Sequence, residues 1–262
     1  MVQWMGIINL TPDSFHEPSR VDAGGFVSRV RSFIDAGASF NDIGAVSTRP
    51  GAKDITVAEE WARLEPALRQ IPLIGGEVRY SIDTTRSEIV RRVYELIGPF
   101  VVNDISSGED DPFMLPLVAR LDLTYIAMHK RGNPRTMGSM CYYPQGIMPE
   151  LLSYFGSFAA KASALGIQDW ILDPGLGFAK TPAQCWEILE KLGELKRFGR
   201  PILIGAADKR FTRTERFADG TAEAHRLAIA NGADILRVHE ICHFAAEFLY
   251  LHCSGYRPQA AG

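Results

Sequence analysis

The sequence predicts an α/β fold: a single (β/α)8 TIM barrel spanning residues 1–262. Three observations carry this expectation. Short apolar runs alternate with longer segments of helical spacing, and eight such units can be counted along the chain. The length of 262 residues suits one barrel of this kind, which takes about 250. The turn after the first strand reads Asn9-Leu10-Thr11-Pro12, so the glycine fingerprint of an open doubly wound sheet is absent.

The elements follow in order. Trp4 to Asn9 is a short apolar run ended by Thr11-Pro12-Asp13, a buried strand and its loop. Phe26 to Ala36 places Val27, Val30, Phe33 and Ile34 on one helical face and stops before Gly37. Phe40 to Gly44 is the second strand. Val57 to Ile71 is the second helix, with Thr56 and Glu59 spaced as a capping box. Tyr80 to Asp83, Phe100 to Asp104 and Leu123 to His129 are strands, interleaved with helices Ser87 to Ile97 and Pro112 to Leu121. A polar stretch, Lys130 to Gln145, precedes a long helix from Met148 to Leu165. Trp170 to Asp173, Pro201 to Gly205 and Ile235 to His239 complete the strands. Pro182 to Leu192, Thr221 to Asn231 and a last segment to about Tyr250 complete the helices. No linker or low-complexity segment divides the chain.

Composition excludes several classes. With 46% hydrophobic and 23% charged residues and a mean hydropathy of −0.04, the chain has enough apolar material to fold around a core. A net charge of −3 and a pI of 6.1 argue against nucleic acid as the partner. Cys141, Cys185, Cys242 and Cys253 form no CxxC pair, which suits free thiols better than zinc ligands or a disulfide framework. The first residues lack the basic and long apolar regions of a signal peptide, and no run approaches the ~20 apolar residues that span a bilayer. A cytoplasmic protein acting on small molecules, without membrane or nucleic-acid partners, is expected.

In such a barrel the chemistry lies at the C-terminal ends of the strands. There the sequence places Asn9, Asp42 with Ser47-Thr48-Arg49, Asp83, Asn103-Asp104, His129, Asp173, Lys209, and Arg237 with His239. A single Asp here can be a helix cap, but Arg, Lys and His are not N-cap residues. Asp83, Asn103 and Asp173 are acceptors suited to a flat ring rich in N–H donors, such as an aminopyrimidinone. Lys209 can donate to a ring carbonyl or nitrogen, and Arg237 can stack on a ring face. Asn9, Ser47, Thr48, Arg49, Arg237 and His239 suit phosphate oxygens. A departing diphosphate calls for Mg²⁺, with Asn9 as an oxygen donor. The long loops Leu10 to Val21 and Ala45 to Thr56 suit closure over a substrate, and Asp13 is either a charge beside a developing cation or a turn residue.

These residues resemble the motifs of the dihydropteroate synthase family. The matching segments are Gly6 to Phe15, Asp42 to Gly51, Ser81 to Thr84, Val102 to Ile105, Met128-His129 with Gly132-Asn133-Pro134, Leu172 to Phe178 with Lys180, and Leu236 to His239. All seven occur in the family order across nearly the whole chain. The resemblance implies condensation of 6-hydroxymethyl-dihydropterin diphosphate with p-aminobenzoate through a carbocation-like pterin species. Carried over residue by residue, it implies that Asp83, Asn103, Asp173, Lys209 and Arg237 hold the pterin, with Met128 and Phe178 lining its pocket. Asn9 would bind Mg²⁺; Asn9, Thr48, Arg49, Arg237 and His239 would hold the diphosphate; Thr48, Pro50 and Ala207 would border p-aminobenzoate. Lys209, Asp13 and Arg49 are then the candidate catalytic groups. A homodimer through late helices is implied, and Phe244, Phe248, Leu249 and Leu251 are equally suited to packing on the barrel.

The chain departs from the family after its seventh strand. Gly205-Ala206-Ala207-Asp208-Lys209-Arg210 keeps the lysine, but Ala207 and Asp208 stand where the family has serine and arginine. Loss of a hydrogen bond to a charged group costs about 1.5–3 kcal/mol, so weaker p-aminobenzoate and sulfonamide binding is expected unless Arg210 or Arg213 compensates. Ala179 replaces a usual glycine. The alternatives are a non-catalytic pterin-binding paralogue and a methyltetrahydrofolate-dependent methyltransferase, the latter having no use for Arg49 and His239.

Overall fold

A computed structural model describes residues 2–10, 24–46, 54–133, 136–207, 209–213 and 219–241. Eight parallel strands alternate with helices: β1 (Gln3–Asn9), α1 (Phe26–Asp35), β2 (Phe40–Gly44), α2 (Val57–Leu68), β3 (Arg79–Asp83), α3 (Ser87–Ile97), β4 (Val101–Asp104), α4 (Met114–Leu121), β5 (Thr124–Met128), α5 (Ile147–Leu165), β6 (Trp170–Asp173), α6 (Pro182–Glu190), β7 (Leu203–Ile204), α7 (Gly220–Ala230) and β8 (Ile235–Val238). The sheet runs β6-β5-β4-β3-β2-β1-β8-β7. A single parallel bridge, Leu172 to Ile202, joins its ends, with the Leu172 N–H donating to the Pro201 carbonyl at 2.9 Å. The sheet is therefore a barrel, as the glycine-free first turn suggests.

Side-chain alternation splits the core in two. Met5, Phe40, Val101, Ile126, Ile171, Leu203 and Ile235 fill the barrel interior as one buried cluster. The opposite strand faces, among them Ile8, Ile43, Ile82, Val102, Tyr125 and Leu172, pack on the helices as a second. This two-sided burial is why the strands read as continuous apolar runs.

Element ends shift by a few residues from the sequence expectation, each for a local reason. The helix expected to Ile71 ends at Leu68, and Ile71–Leu73 forms a separate 3-10 turn beginning at Ile71-Pro72. The helix expected to Leu192 ends at Glu190, where a 3-10 segment, Leu192–Phe198, takes over up to the left-handed Gly199. The Thr56–Glu59 capping box forms as expected: the Thr56 Oγ1 accepts from the Glu59 N–H at 3.1 Å, and the Thr56 N–H donates to Glu59 at 2.7 Å. Thr181 and Gln184 make a second box at α6. Among the described residues no helix is long and apolar enough to cross a membrane, and Cys141 and Cys185 are free thiols.

Candidate active site

The apolar floor fixes what stands above it. Two residues beyond Phe40, Val101, Ile126, Ile171, Leu203 and Ile235, on the same faces, come Asp42, Asn103, Met128, Asp173, Gly205 and Arg237. Asp83 stands beside Asn103 in register. The strand period of two thus raises a polar layer directly over a dry one at the C-terminal mouth.

On one side of the mouth Arg237 spans two carboxylates. Its Nε donates to the Asp42 Oδ2 at 2.6 Å, and its Nη2 reaches the Asp83 Oδ2 at 3.0 Å. The Asn103 amide donates to the same Asp42 oxygen at 3.1 Å. Asp42 is fully buried, and its other oxygen and the Ser81 hydroxyl make no hydrogen bond among the described residues. Burial pushes the Asp83 carboxyl up to about 7; Arg237 opposes this shift and Asp42 adds to it. Behind this cluster, buried Glu60 accepts from the Thr84 hydroxyl and from the Arg86 Nη1, both at 2.7 Å. Arg86 also donates to the Ile55 carbonyl, while Arg63 donates to that of Ala45 at 3.0 Å. Both ends of the β2–α2 connection are held in this way. Burial raises the Glu60 carboxyl above its usual range, against the pull of Thr84 and Arg86.

On the other side Asp173 accepts from the Gly175 N–H at 2.8 Å, and its own carbonyl accepts from the His129 N–H at 3.0 Å. Burial raises its carboxyl, which Lys209 counters most strongly. Lys209 donates to the Leu176 carbonyl, and its Nζ lies 5.0 Å from the centre of the Phe178 ring. Burial lowers the Lys209 ammonium, with Asp173 opposing. Lys180 donates to the His129 Nδ1 at 2.8 Å and to the carbonyls of Phe178 and His129 at 3.0 and 3.2 Å. Burial drives the His129 imidazole down to about 2, so the ring is neutral and accepts at Nδ1. Burial also lowers Lys180 to about 7, with the Cys185 and Asp173 sides opposing. Gly175 has a positive φ, and a Cβ there would stand 2.1 Å from the His129 carbonyl oxygen. Only glycine permits this approach.

The mouth thus brings together Asp83, Asn103, Asp173, Lys209 and Arg237 from the predicted set. Met128 is buried in the wall, its carbonyl taken by Ser107 at 2.9 Å and by Tyr154 at 3.2 Å. Ala207 follows β7 and is half-buried. The His239 carbonyl accepts from Arg29 at 2.5 Å. Asp13, Ser47, Thr48, Arg49, Pro50 and Asp208, with the last helix and Cys242 and Cys253, lie outside the described residues. Asp104 turns away from the mouth. It accepts from the Tyr125 hydroxyl at 2.6 Å and from the N–H groups of Ser106 and Gly108, a loop-holding role. Sequence reasoning gave no role to Asp42, Glu60 or Lys180. Asp42 was visible as a polar residue on an apolar strand, whereas Thr84 and Arg86, which meet Glu60, and His129, which meets Lys180, are remote in sequence.

The donors available to Mg²⁺ also have a definite character. Asn9 is half-buried at the end of β1 on the inner face, beside Gly44. Among the described residues no group of three or more His, Cys, Asp or Glu is placed to cage a metal. One neutral oxygen at the mouth fits an ion that arrives with its phosphates and keeps most of its waters.

Comparison with known proteins agrees with this geometry. The model of the pterin binding enzyme family matches residues 5–239. The dihydropteroate synthase of Synechocystis is 38% identical over 257 residues, covering 90% of this chain and 84% of that protein. The chain spans only 34% of the folic acid synthesis protein fol1 of Pneumocystis carinii, to which it is also 38% identical. Among solved structures, the Yersinia pestis dihydropteroate synthase with a sulfonamide drug superposes with a TM-score of 0.85 at 28% identity, covering 97% of this chain and 94% of that one. The Xanthomonas albilineans enzyme with 4-aminobenzoic acid gives 0.84 at 29% identity, covering 98% and 94%.

Proposed function

The chain belongs to the dihydropteroate synthase family of pterin-binding enzymes, and we propose that it is a transferase of folate biosynthesis joining 6-hydroxymethyl-7,8-dihydropterin diphosphate to p-aminobenzoate. The observation that carries this reading is the polar layer of Asp83, Asn103, Asp173, Lys209 and Arg237 above the dry barrel floor.

The ring's amino and N–H edge donates to the Asp83 and Asp173 carboxylates, which when ionised are acceptors only, and to the Asn103 carboxamide oxygen. Lys209 donates to the ring carbonyl. Asp13, Thr48, Arg49 and His239 are the sequence's candidates for the cation and the diphosphate. The bond between the exocyclic methylene carbon and the diphosphate oxygen breaks, and its electron pair leaves with the diphosphate. The arylamine nitrogen then attacks that carbon and releases a proton. No enzyme nucleophile is required. The residues act by stabilising charge and excluding water. Asn9 would hold Mg²⁺, which would supply charge neutralisation for the diphosphate. A homodimer in the cytoplasm is the proposed state, testable by sedimentation.

Dihydropteroate formation with stoichiometric diphosphate release, lost in Asp173→Asn, is the expected result. Ala207 favours one specific alternative, because it offers no hydroxyl to the p-aminobenzoate carboxylate. Tight pterin diphosphate binding without turnover would replace the synthase with a binding-only paralogue.

A further inference from the structure

Buried lysines ordinarily lie against a carboxylate. The described structure has an example of the ordinary pairing: buried Lys130 meets Asp110 at 2.8 Å. Lys180 is buried, yet its three ammonium protons go to three uncharged acceptors: the His129 Nδ1, the His129 carbonyl and the Phe178 carbonyl. Every donor is used and none of the acceptors is an anion. The arrangement ties two strand ends together. His129 follows β5 and donates its own N–H to Asp173 at the end of β6, while Phe178 closes the turn that begins at Gly175. The same turn offers the Leu176 carbonyl to Lys209. Lys180 thus supports, from behind, the segment that carries the Asp173 carboxylate and seats the Lys209 ammonium. Its charge also favours the ionised form of Asp173.

We propose that Lys180, received by His129, is a positioning residue for the heterocycle pocket: the ammonium locks the Gly175–Phe178 turn so that Asp173 and Lys209 meet the ring in register. The His129 ring serves as a neutral acceptor, and its partner is the lysine rather than the ligand. The inference rests on the pterin-binding reading above.

The test compares Lys180→Met with two changes that are isosteric with each other, His129→Asn and His129→Leu. Asn keeps an acceptor close to the Nδ1 position, and Leu has the same shape without one. The dissociation constant of 6-hydroxymethyl-7,8-dihydropterin diphosphate is measured by calorimetry, the KM for p-aminobenzoate by steady-state kinetics at saturating pterin, and folding by thermal melting. Lys180→Met is expected to weaken pterin binding about tenfold while the p-aminobenzoate KM stays within about twofold. His129→Leu should match it, and His129→Asn should stay within about threefold of the parent. Should Lys180→Met fail to fold, the isosteric pair decides the matter. Pterin binding within about twofold of the parent in Lys180→Met, or equal binding by the Leu and Asn variants, would overturn the inference while leaving the pterin reading intact. A parent protein that binds no pterin would overturn both.

Discussion

On the β2–β3–β8 side of the mouth two carboxylates, Asp42 and Asp83, share the Arg237 guanidinium, whereas on the β6–β7 side two ammonium groups, Lys180 and Lys209, flank the Asp173 carboxylate. The first half has more negative than positive groups, and the second the reverse. Each half alone is an expensive arrangement in a buried setting. Together they suit a ring that donates hydrogen bonds along one edge and accepts them along another. The lesson is that the polar layer gains its sense from the ligand's pattern of donors and acceptors, more than from internal pairing.

Altering the scarce charge in each half tests this contrast. Asp173→Asn removes the carboxylate that Lys180 and Lys209 flank, and kcat/KM should fall about a thousandfold as two charged hydrogen bonds are lost, with melting little changed. Arg237→Met leaves Asp42 and Asp83 facing each other. Urea unfolding should show a loss of about 3–5 kcal/mol, because one member of a buried pair is gone. If stability held, the guanidinium would be no more than a ligand-facing group.

The acidic half should also respond to pH. The Asp83 carboxyl is raised to about 7, so it is an acceptor above that pH and becomes a donor-bearing acid below it. The KM for the pterin diphosphate should rise about tenfold for each pH unit below 7, and Asp83→Asn should flatten that limb. In stability terms the sign is opposite to that of a paired surface carboxylate. A folded value above the unfolded one means that ionisation costs stability as pH rises toward 7, and protonation relieves that cost. A smaller effect lies beside the lysine half. Ala179 has a positive φ of 50°, which penalises a side chain by about 1 kcal/mol, partly offset by the greater unfolded-state freedom of glycine. Ala179→Gly should therefore raise Tm by about 1–3 °C without altering pterin binding.

Much of the architecture is legible in the sequence because it arises from period and punctuation. The strand runs, the stop before Gly37 and the Thr56–Glu59 box are all local signals. Position at the C-terminal ends of the strands also selects Asp83, Asn103, Asp173 and Arg237 as mouth residues. What the sequence hides is pairing at a distance. Nothing near Asp42 announces Arg237, 195 positions away, and nothing near Lys180 announces His129, 51 positions away. Asp104 is the complementary case: it is adjacent to a mouth residue, but strand alternation turns it into the helix layer. The helix expected to Leu192 overruns its end at Glu190 for another reason, since a 3-10 run and an α-helix share similar apolar spacing over one turn.

The barrel closes at one rung, between Leu172 and Ile202. Pro201 has no N–H to add a second, and the Ile202 N–H turns to the Asp234 carboxylate at 2.8 Å. Like a cask, the sheet has one stave joint held by little more than its hoops. Asp173 and Lys209 lie on opposite banks of that joint, so a pterin gripped by both would act as the missing rung. Amide exchange at Leu172 should then be among the fastest of the strand amides in the free protein and slow most upon ligand binding. Substrate would thus be a structural member of the barrel wall as well as its cargo.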